Sequence, residues 1–336
     1  MRVHRSQLQG DKAPQFLESE AGIGEIRLLL CGGAPQVAVY RKTLWAKLLD
    51  INNQTDTKND KAKSLSFSEL CERVANWELC CDVLTLSDLH ATLDMPDYFV
   101  FENQVAQTVL CFSHDESIAE RTPLRVTTAP LTAPLIRAPS QQPCHVPPSG
   151  VIAFHSMCTL VAPLCYVFGE NTRDIYRCFR ELYVEYFCRL HLISTCRDSI
   201  LRLCLQFEEI AYHCASSAYT HCISHGVHPT QIVFPWIFSA FAGVLRPAQT
   251  LRVWDLCLGF DSLQPLVALA AAIFSAHETL ALQCSDDASL KAVFSDLTMI
   301  DIDVLLCAFL DTVTGYNAFA LNGSNGAHES QETPEE

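Results

Sequence analysis

An all-α domain is the fold this sequence predicts, and three observations carry it. Apolar residues recur at helical spacing through most of the chain after Gly150, and sustained period-two alternation is scarce. The long stretch ahead of that region is rich in proline, which denies it most sheet pairing. The 336 residues suffice for one large domain with a sizeable core. Hydrophobic residues make up 49% of the chain and charged ones 18%, a balance that describes a globular molecule rather than a solvated coil.

Residues 1–21 are polar and expected to fray. From Gly22 to Ile51 the chain reads as a short element, a Cys-Gly-Gly-Ala-Pro turn and an amphipathic helix, with Leu44, Leu48 and Ile51 at helical spacing beside Trp45. The segment NNQTDTKNDKAKS has nothing to bury and reads as a linker. Ser113 to Gly150, with TTAPLTAPLIRAP at its centre, is expected to be a mobile surface insertion. Beyond it, Ile175, Phe179, Leu182, Tyr186 and Leu190 line one helical stripe, and Ile200, Leu203, Phe207 and Ile210 line the next. In LRVWDLCLGFDSLQPLVALAAAIF, Leu251, Trp254 and Leu258 share a face, Gly259 is placed to end the helix, and Leu263 to Phe274 reads as a buried second helix. The segment 322–336 is polar and acidic and is expected to be disordered.

Lys and Arg number 23 against 38 Asp and Glu, a formal net charge of -15, which argues against a general basic face for nucleic acid or an anionic membrane. The stretches 151–169, 229–245 and 262–276 are apolar, yet each is at or below spanning length and carries proline, histidine or other polar residues, so buried helices explain them better. The N-terminus has basic residues but no apolar run after them, and the 17 cysteines are dispersed over apolar stretches, so a reducing, cytoplasmic setting with buried thiols is expected.

Two enzymatic readings have candidate residues. His213, Cys214, His221, Cys222, His225 and His228 cluster in YHCASSAYTHCISHGVHP, and His221 with His225 could share a metal at i, i+4. No HExxH or paired CxxC accompanies them, so surface histidines near a helix end are the simpler account. Cys158 follows His155 by three residues without an acyl-transfer motif around it. No Gly-rich phosphate loop occurs, and neither a cofactor nor a bound metal is expected.

Several segments together resemble the TBC domain, the all-helical module that stimulates GTP hydrolysis by Rab GTPases. Arg41 and Trp45 in RKTLW match its R-x-x-x-W motif, Trp236 its tryptophan, and RVWD from Arg252 to Asp255 its RIWD signature. HSMCTLVAPLCYVF is similar to its QGMNxxxAPLL helix, keeping Met157 and Ala162-Pro163-Leu164. The combination of YFVFENQVAQTVLCFSHD, FRELYVEYFCRLH and LGFDSL resembles the member-19 subgroup, over about Gly22 to Leu310. The resemblance implies a GTP-bound Rab as partner, a role in vesicle traffic, and membrane recruitment through the GTPase's own lipid anchor. It places Arg41, Trp45, Asp94, Met157, Trp254 and Asp255 among the motif residues expected to face the GTPase.

In that family an arginine of I-x-x-D-x-x-R neutralises charge on the transferred phosphoryl group and a glutamine of Y-x-Q positions the attacking water. Aligning DMPDYF with the first motif puts Asp94 on its aspartate and Asp97 on its arginine. Aligning AFHSM with the second puts Ala153, His155 and Ser156 on its tyrosine, glutamine and following glycine. A carboxylate repels where the arginine should attract, whereas a neutral His155 could still orient a water. A substitute cation would have to come from elsewhere, with Arg121 and Arg125 as candidates. The resemblance therefore implies a Rab-facing domain with weak or no two-finger activity, the alternative being a non-catalytic scaffold for a GTPase or tethering partner.

Overall fold

The computed structural model describes residues 22–33, 35–51, 65–122, 145–194 and 196–311. Among these the regular secondary structure is helical, with a single isolated bridge joining Leu79 to His145. The N-terminal segment, the linker, the centre of the proline-rich stretch with Arg125, and the acidic end lie outside the described residues.

Local chemistry sets most helix starts. Helix α1 (Ile23–Gly32) leads into α2 (Pro35–Leu48), and α3 (Phe67–Asn76) opens with a capping box, the Ser66 hydroxyl accepting from Glu69 N–H while the Glu69 carboxylate accepts from Ser66 N–H at 2.7 Å. Helix α4 (Asp82–Leu93) is followed by a turn and a short 3₁₀ helix, Phe99–Phe101, that runs into α5 (Glu102–His114). Asp115 caps α6 (Glu116–Arg121) by accepting from Ser117 N–H at 3.0 Å. Helix α7 (Met157–Phe168) is succeeded by α8 (Thr172–Glu185), capped by Asn171, and by a 3₁₀ turn, Phe187–His191. Helices α9 (Ile200–Cys214), α10 (Ser216–Ser224), α11 (Pro229–Phe238), α12 (Pro247–Phe260), α13 (Gln264–Ala276), α14 (Glu278–Ala281) and α15 (Asp287–Val293) follow, and a last helix covers 302–311. Prolines open α11 and α12 where a missing N–H costs nothing.

Helix α7 sits at the centre, packed by α4, α5, α8 and α12. Residues 157–165 of it are all buried, which is why its sequence is apolar all round rather than on one stripe. Helix α13 is enclosed in the same way against α9 and α12. No helix among the described residues is long and apolar enough to cross a membrane. Every cysteine among the described residues is free.

Two local expectations are corrected. Gly259 does not end its helix: α12 continues to Phe260 and stops at Asp261, which adopts the left-handed conformation at φ 53°. Gly259 instead lies against α1, where a Cβ would stand 2.6 Å from Cys31 Sγ and 3.0 Å from the Arg27 carbonyl. The stretch 113–150 is also not surface throughout, since Ser113, His114, Ser117 and Ile118 are buried in α5 and α6. Its far end returns to the body where Cys80 N–H donates to the His145 carbonyl at 2.8 Å and His145 N–H to that of Glu78 at 2.9 Å. Only residues 123–144 between them fall outside the description.

Candidate functional site

The motif residues divide into an enclosed cluster and an exposed seam. In the cluster, Asp255 of α12 is fully buried between two residues of α2. Arg41 donates to it through Nε at 3.1 Å to each carboxylate oxygen and Nη2 at 2.8 Å, and Trp45 adds its indole N–H at 2.8 Å. Trp254, next in sequence, turns the other way, donates to the Ala240 carbonyl at 2.9 Å and packs on Phe187. Burial pushes the Asp255 carboxyl above its ordinary range, against the opposing pull of the Arg41 fork and the Trp45 donor. These four side chains, and Met157 with them, are enclosed, so they present no surface to a partner. Their work is to lock α2 onto α12.

The seam joins the end of α4 to the start of α7. After Leu93 the chain turns through Asp94, Met95, Pro96 and Asp97, with Tyr98 N–H donating to the Met95 carbonyl at 3.1 Å. The rings decide which way the turn faces. Tyr98 is buried, Tyr166 of α7 stacks edge-on against Phe101 at 5.0 Å, and its hydroxyl donates to the Asp97 carbonyl at 2.5 Å. The carboxylates of Asp94 and Asp97 are left exposed, and no cation pairs with either among the described residues. Phe99 and Val100 beside them are exposed as well.

Across the seam His155 is 84% exposed, and Ser156 adopts φ +82°. That backbone conformation favours glycine, the residue found there in the resembled family's motif. The two halves are fastened by Asp88 of α4, a residue the sequence reading did not single out. Its buried carboxylate accepts from Ser156 N–H and from Cys158 N–H, each at 2.7 Å, and its Oδ1 lies 3.3 Å from His155 Nδ1. Thr92 and Thr159 add a hydroxyl contact at 3.0 Å one turn further along. Gly243, at φ +73°, lies at the back of the same seam, where a Cβ would stand 2.7 Å from Thr159 Cγ2 and the backbone would be strained for any other residue.

No sequence signal sets Asp88 apart: Asp82, Asp88 and Asp94 each begin an Asp-x-x-x spacing, ending on Thr85, Ala91 and Asp97, and none of the three ends on arginine. Of the substitute cations considered, Arg121 is committed elsewhere, donating through Nη1 at 2.9 Å and Nη2 at 2.5 Å to the buried Glu181 carboxylate.

The enzymatic alternatives are not assembled. The Cys158 thiol is buried, rests 3.8 Å from the Thr85 carbonyl, and is pushed up by burial with Asp88 nearby, the reverse of an activated nucleophile. His221 donates through Nε2 to the Cys284 carbonyl at 2.9 Å, and His228 pairs with Glu208 at 3.0 Å. No group of three metal-ligating side chains comes together among the described residues.

The fold is an all-helical domain with a buried R-x-x-x-W/Asp lock, in which Asp88 ties α4 to the exposed turn ahead of α7. Residues 154–282 match the sequence pattern of the Rab-GTPase-TBC domain, and the chain belongs to the TBC family. Within it, the chain is similar to TBC1 domain family member 19 of Homo sapiens, 35% identical over 282 residues that cover 83% of this chain. It spans 52% of that relative's length. Among solved structures, the Chlamydomonas flagellar RabGAP TBC domain superposes with a TM-score of 0.61 at 15% identity, covering 89% of this chain and 90% of that one. The Ypt/Rab-GAP domain of Gyp1p gives 0.61 at 12% identity, covering 91% and 97%. At those identities the likeness establishes the fold.

Proposed function

We propose that this domain regulates a Rab-type GTPase by engaging its GTP-bound form through the α4–α7 seam, without supplying an arginine finger. The observation that carries this reading is the seam itself. Asp88 ties α4 to the exposed turn that carries His155, Tyr166 of α7 holds the turn after α4 through the Asp97 carbonyl, and the carboxylates of Asp94 and Asp97 are exposed there, where the family resemblance aligns Asp97 with an arginine. A carboxylate beside a γ-phosphate opposes the charge that develops there. Membership in the TBC family supports a GTPase partner, and the enclosed Arg41–Trp45–Asp255 lock supports retention of the platform. The membrane on which such a complex would act is reached through the GTPase's own anchor.

Single-turnover GTP hydrolysis by a panel of Rab proteins tests the proposal. The unaltered chain is expected to bind GTP-loaded protein and leave the rate near its intrinsic value. An arginine placed at the end of the Asp94 or the Asp88 spacing, Asp97→Arg or Ala91→Arg, combined with His155→Gln, is expected to recover part of the roughly 10³ to 10⁵ that an arginine finger supplies. Strong acceleration by the unaltered chain would refute the absence of a finger, and failure to bind any GTPase would refute the partner class.

A further inference from the structure

We infer that Asp88 is a positioning residue that holds the His155 imidazole with Nδ1–H turned inward, leaving Nε2 as a bare acceptor for a water at the partner's nucleotide. The inference rests on the GTPase reading above and assigns His155 a definite chemical state within it.

The geometry leaves Asp88 little freedom. Its side chain is 5% exposed, and each carboxylate oxygen already accepts a backbone N–H from the start of α7, Ser156 at Oδ1 and Cys158 at Oδ2. An ionised carboxylate only accepts hydrogen bonds, so the ring nitrogen 3.3 Å from Oδ1 belongs there as a donor. The opposite tautomer would set the Nδ1 lone pair against a negative oxygen. Neutral imidazole carries one proton, so a proton on Nδ1 leaves Nε2 unprotonated. With the His155 side chain 84% exposed, the unprotonated edge lies on the solvent side of the seam. A buried carboxylate behind an exposed imidazole is the arrangement by which proteins fix a histidine tautomer for work on its other nitrogen.

The backbone keeps the pair together. The peptide groups that hold Asp88 belong to the residues immediately after His155, and the positive φ of Ser156 turns the chain so that N–H groups on both sides of Met157 reach one carboxylate. In hydrolysis the water oxygen bonds to the γ-phosphorus as the bond to the β,γ-bridging oxygen breaks, its electron pair leaving with GDP. The proton shed by the water passes through Nε2 to solvent. A glutamine amide orients such a water with an acceptor and a donor; His155 held in this way offers the acceptor alone, starting as a neutral ring and becoming an imidazolium while it carries the water's proton.

The ring-nitrogen NMR spectrum of His155 in the full chain, assigned by the signals lost in His155→Gln, reads the tautomer without any GTPase present. Protonated Nδ1 with unprotonated Nε2 is expected, and Asp88→Asn should shift the population toward Nε2–H. In the Asp97→Arg background, His155→Ala should lower single-turnover hydrolysis about 10²-fold, the lower range for a positioned acid–base group, read with the GTPase saturated by the domain so that any loss of affinity is separated from the rate. Asp88→Asn should reproduce part of that loss. An Nε2–H imidazole in the unaltered chain overturns the pairing, and that measurement decides it even if Asp88→Asn does not fold. A correct tautomer with equal hydrolysis rates in the Asp97→Arg background with and without His155→Ala overturns the role in water positioning. A correct tautomer in a chain that binds no GTPase overturns the regulator reading on which that role rests, so the two failures are told apart.

Discussion

At the scale of single residues the most consequential group is a carboxylate that no solvent reaches. Asp255 is tolerated in the core because a planar guanidinium and an indole N–H satisfy it. Removing one partner of such a pair strands the other, which costs about 3 to 5 kcal/mol. Asp255→Ala is therefore expected to destabilise the domain by about that amount in urea unfolding, and Asp255→Asn by less. A change under about 1 kcal/mol for the alanine variant would show that Arg41 finds another partner or reaches water. The members of this cluster were readable as motif letters. Their enclosure was not, because a motif records which residue types occur together and says nothing of which face of a helix meets which neighbour.

At the scale of elements, helix periodicity and composition located α9, α12 and α13 well, and α8 as far as Glu185, where the expected stripe breaks at Tyr186 and Leu190 falls in the 3₁₀ turn. The reason is physical. Each buries a stripe or its whole surface, and burial leaves a signature in the sequence. Gly259 shows where that logic stops. A glycine late in an apolar helix reads as a terminator, yet here it sits within α12 because α1 crosses it closely. Gly259→Ala tests the assignment with a definite sign. Alanine in a helix interior gains up to about 1 kcal/mol over glycine, so an interior site with open space around it would welcome it. The contacts at 2.6 Å to Cys31 Sγ and 3.0 Å to the Arg27 carbonyl predict a net loss instead, on the order of 1 to 3 kcal/mol. A raised melting temperature for this variant would contradict the close approach of the two helices.

The seam between α4 and α7 belongs to the same scale. The turn after α4 was legible from its Asp-Met-Pro-Asp sequence, and His155 from its place in a motif. Asp88 was passed over because its importance lies in accepting backbone N–H groups about 70 residues along the chain. Backbone donors carry no sequence signature.

At the scale of the whole molecule, two histidines make the fold sensitive to acid. His114 is buried with neither ring nitrogen bonded, and His191 is enclosed by Phe154, Tyr183 and Phe238 with Nε2 against the Phe238 carbonyl. Burial lowers both to about 4, helped at His114 by the neighbouring Arg73 charge. In the unfolded chain each titrates near 6.5. Between those values the unfolded state binds protons that the folded state refuses, so stability is full above about pH 6.5 and falls as pH drops toward about 4. Melting temperatures measured from pH 7.5 down to pH 4.5 should decline across that window, and His191→Phe should flatten part of the slope. A flat profile would mean that both rings find water or a carboxylate on protonation.

The sequence by itself determined the helical class, the buried helices and the residue types at the motif positions, since hydrophobic periodicity and side-chain identity are local properties of the chain. Tertiary structure alone decided that Arg41, Trp45 and Asp255 are a lock rather than a contact surface, that Gly259 is a crossing point, that Arg121 is spent on Glu181, and that Asp88 stands behind His155. Each of those depends on groups from separate helices meeting within about 3 Å, and such proximity is set by how whole helices pack, which no single segment encodes.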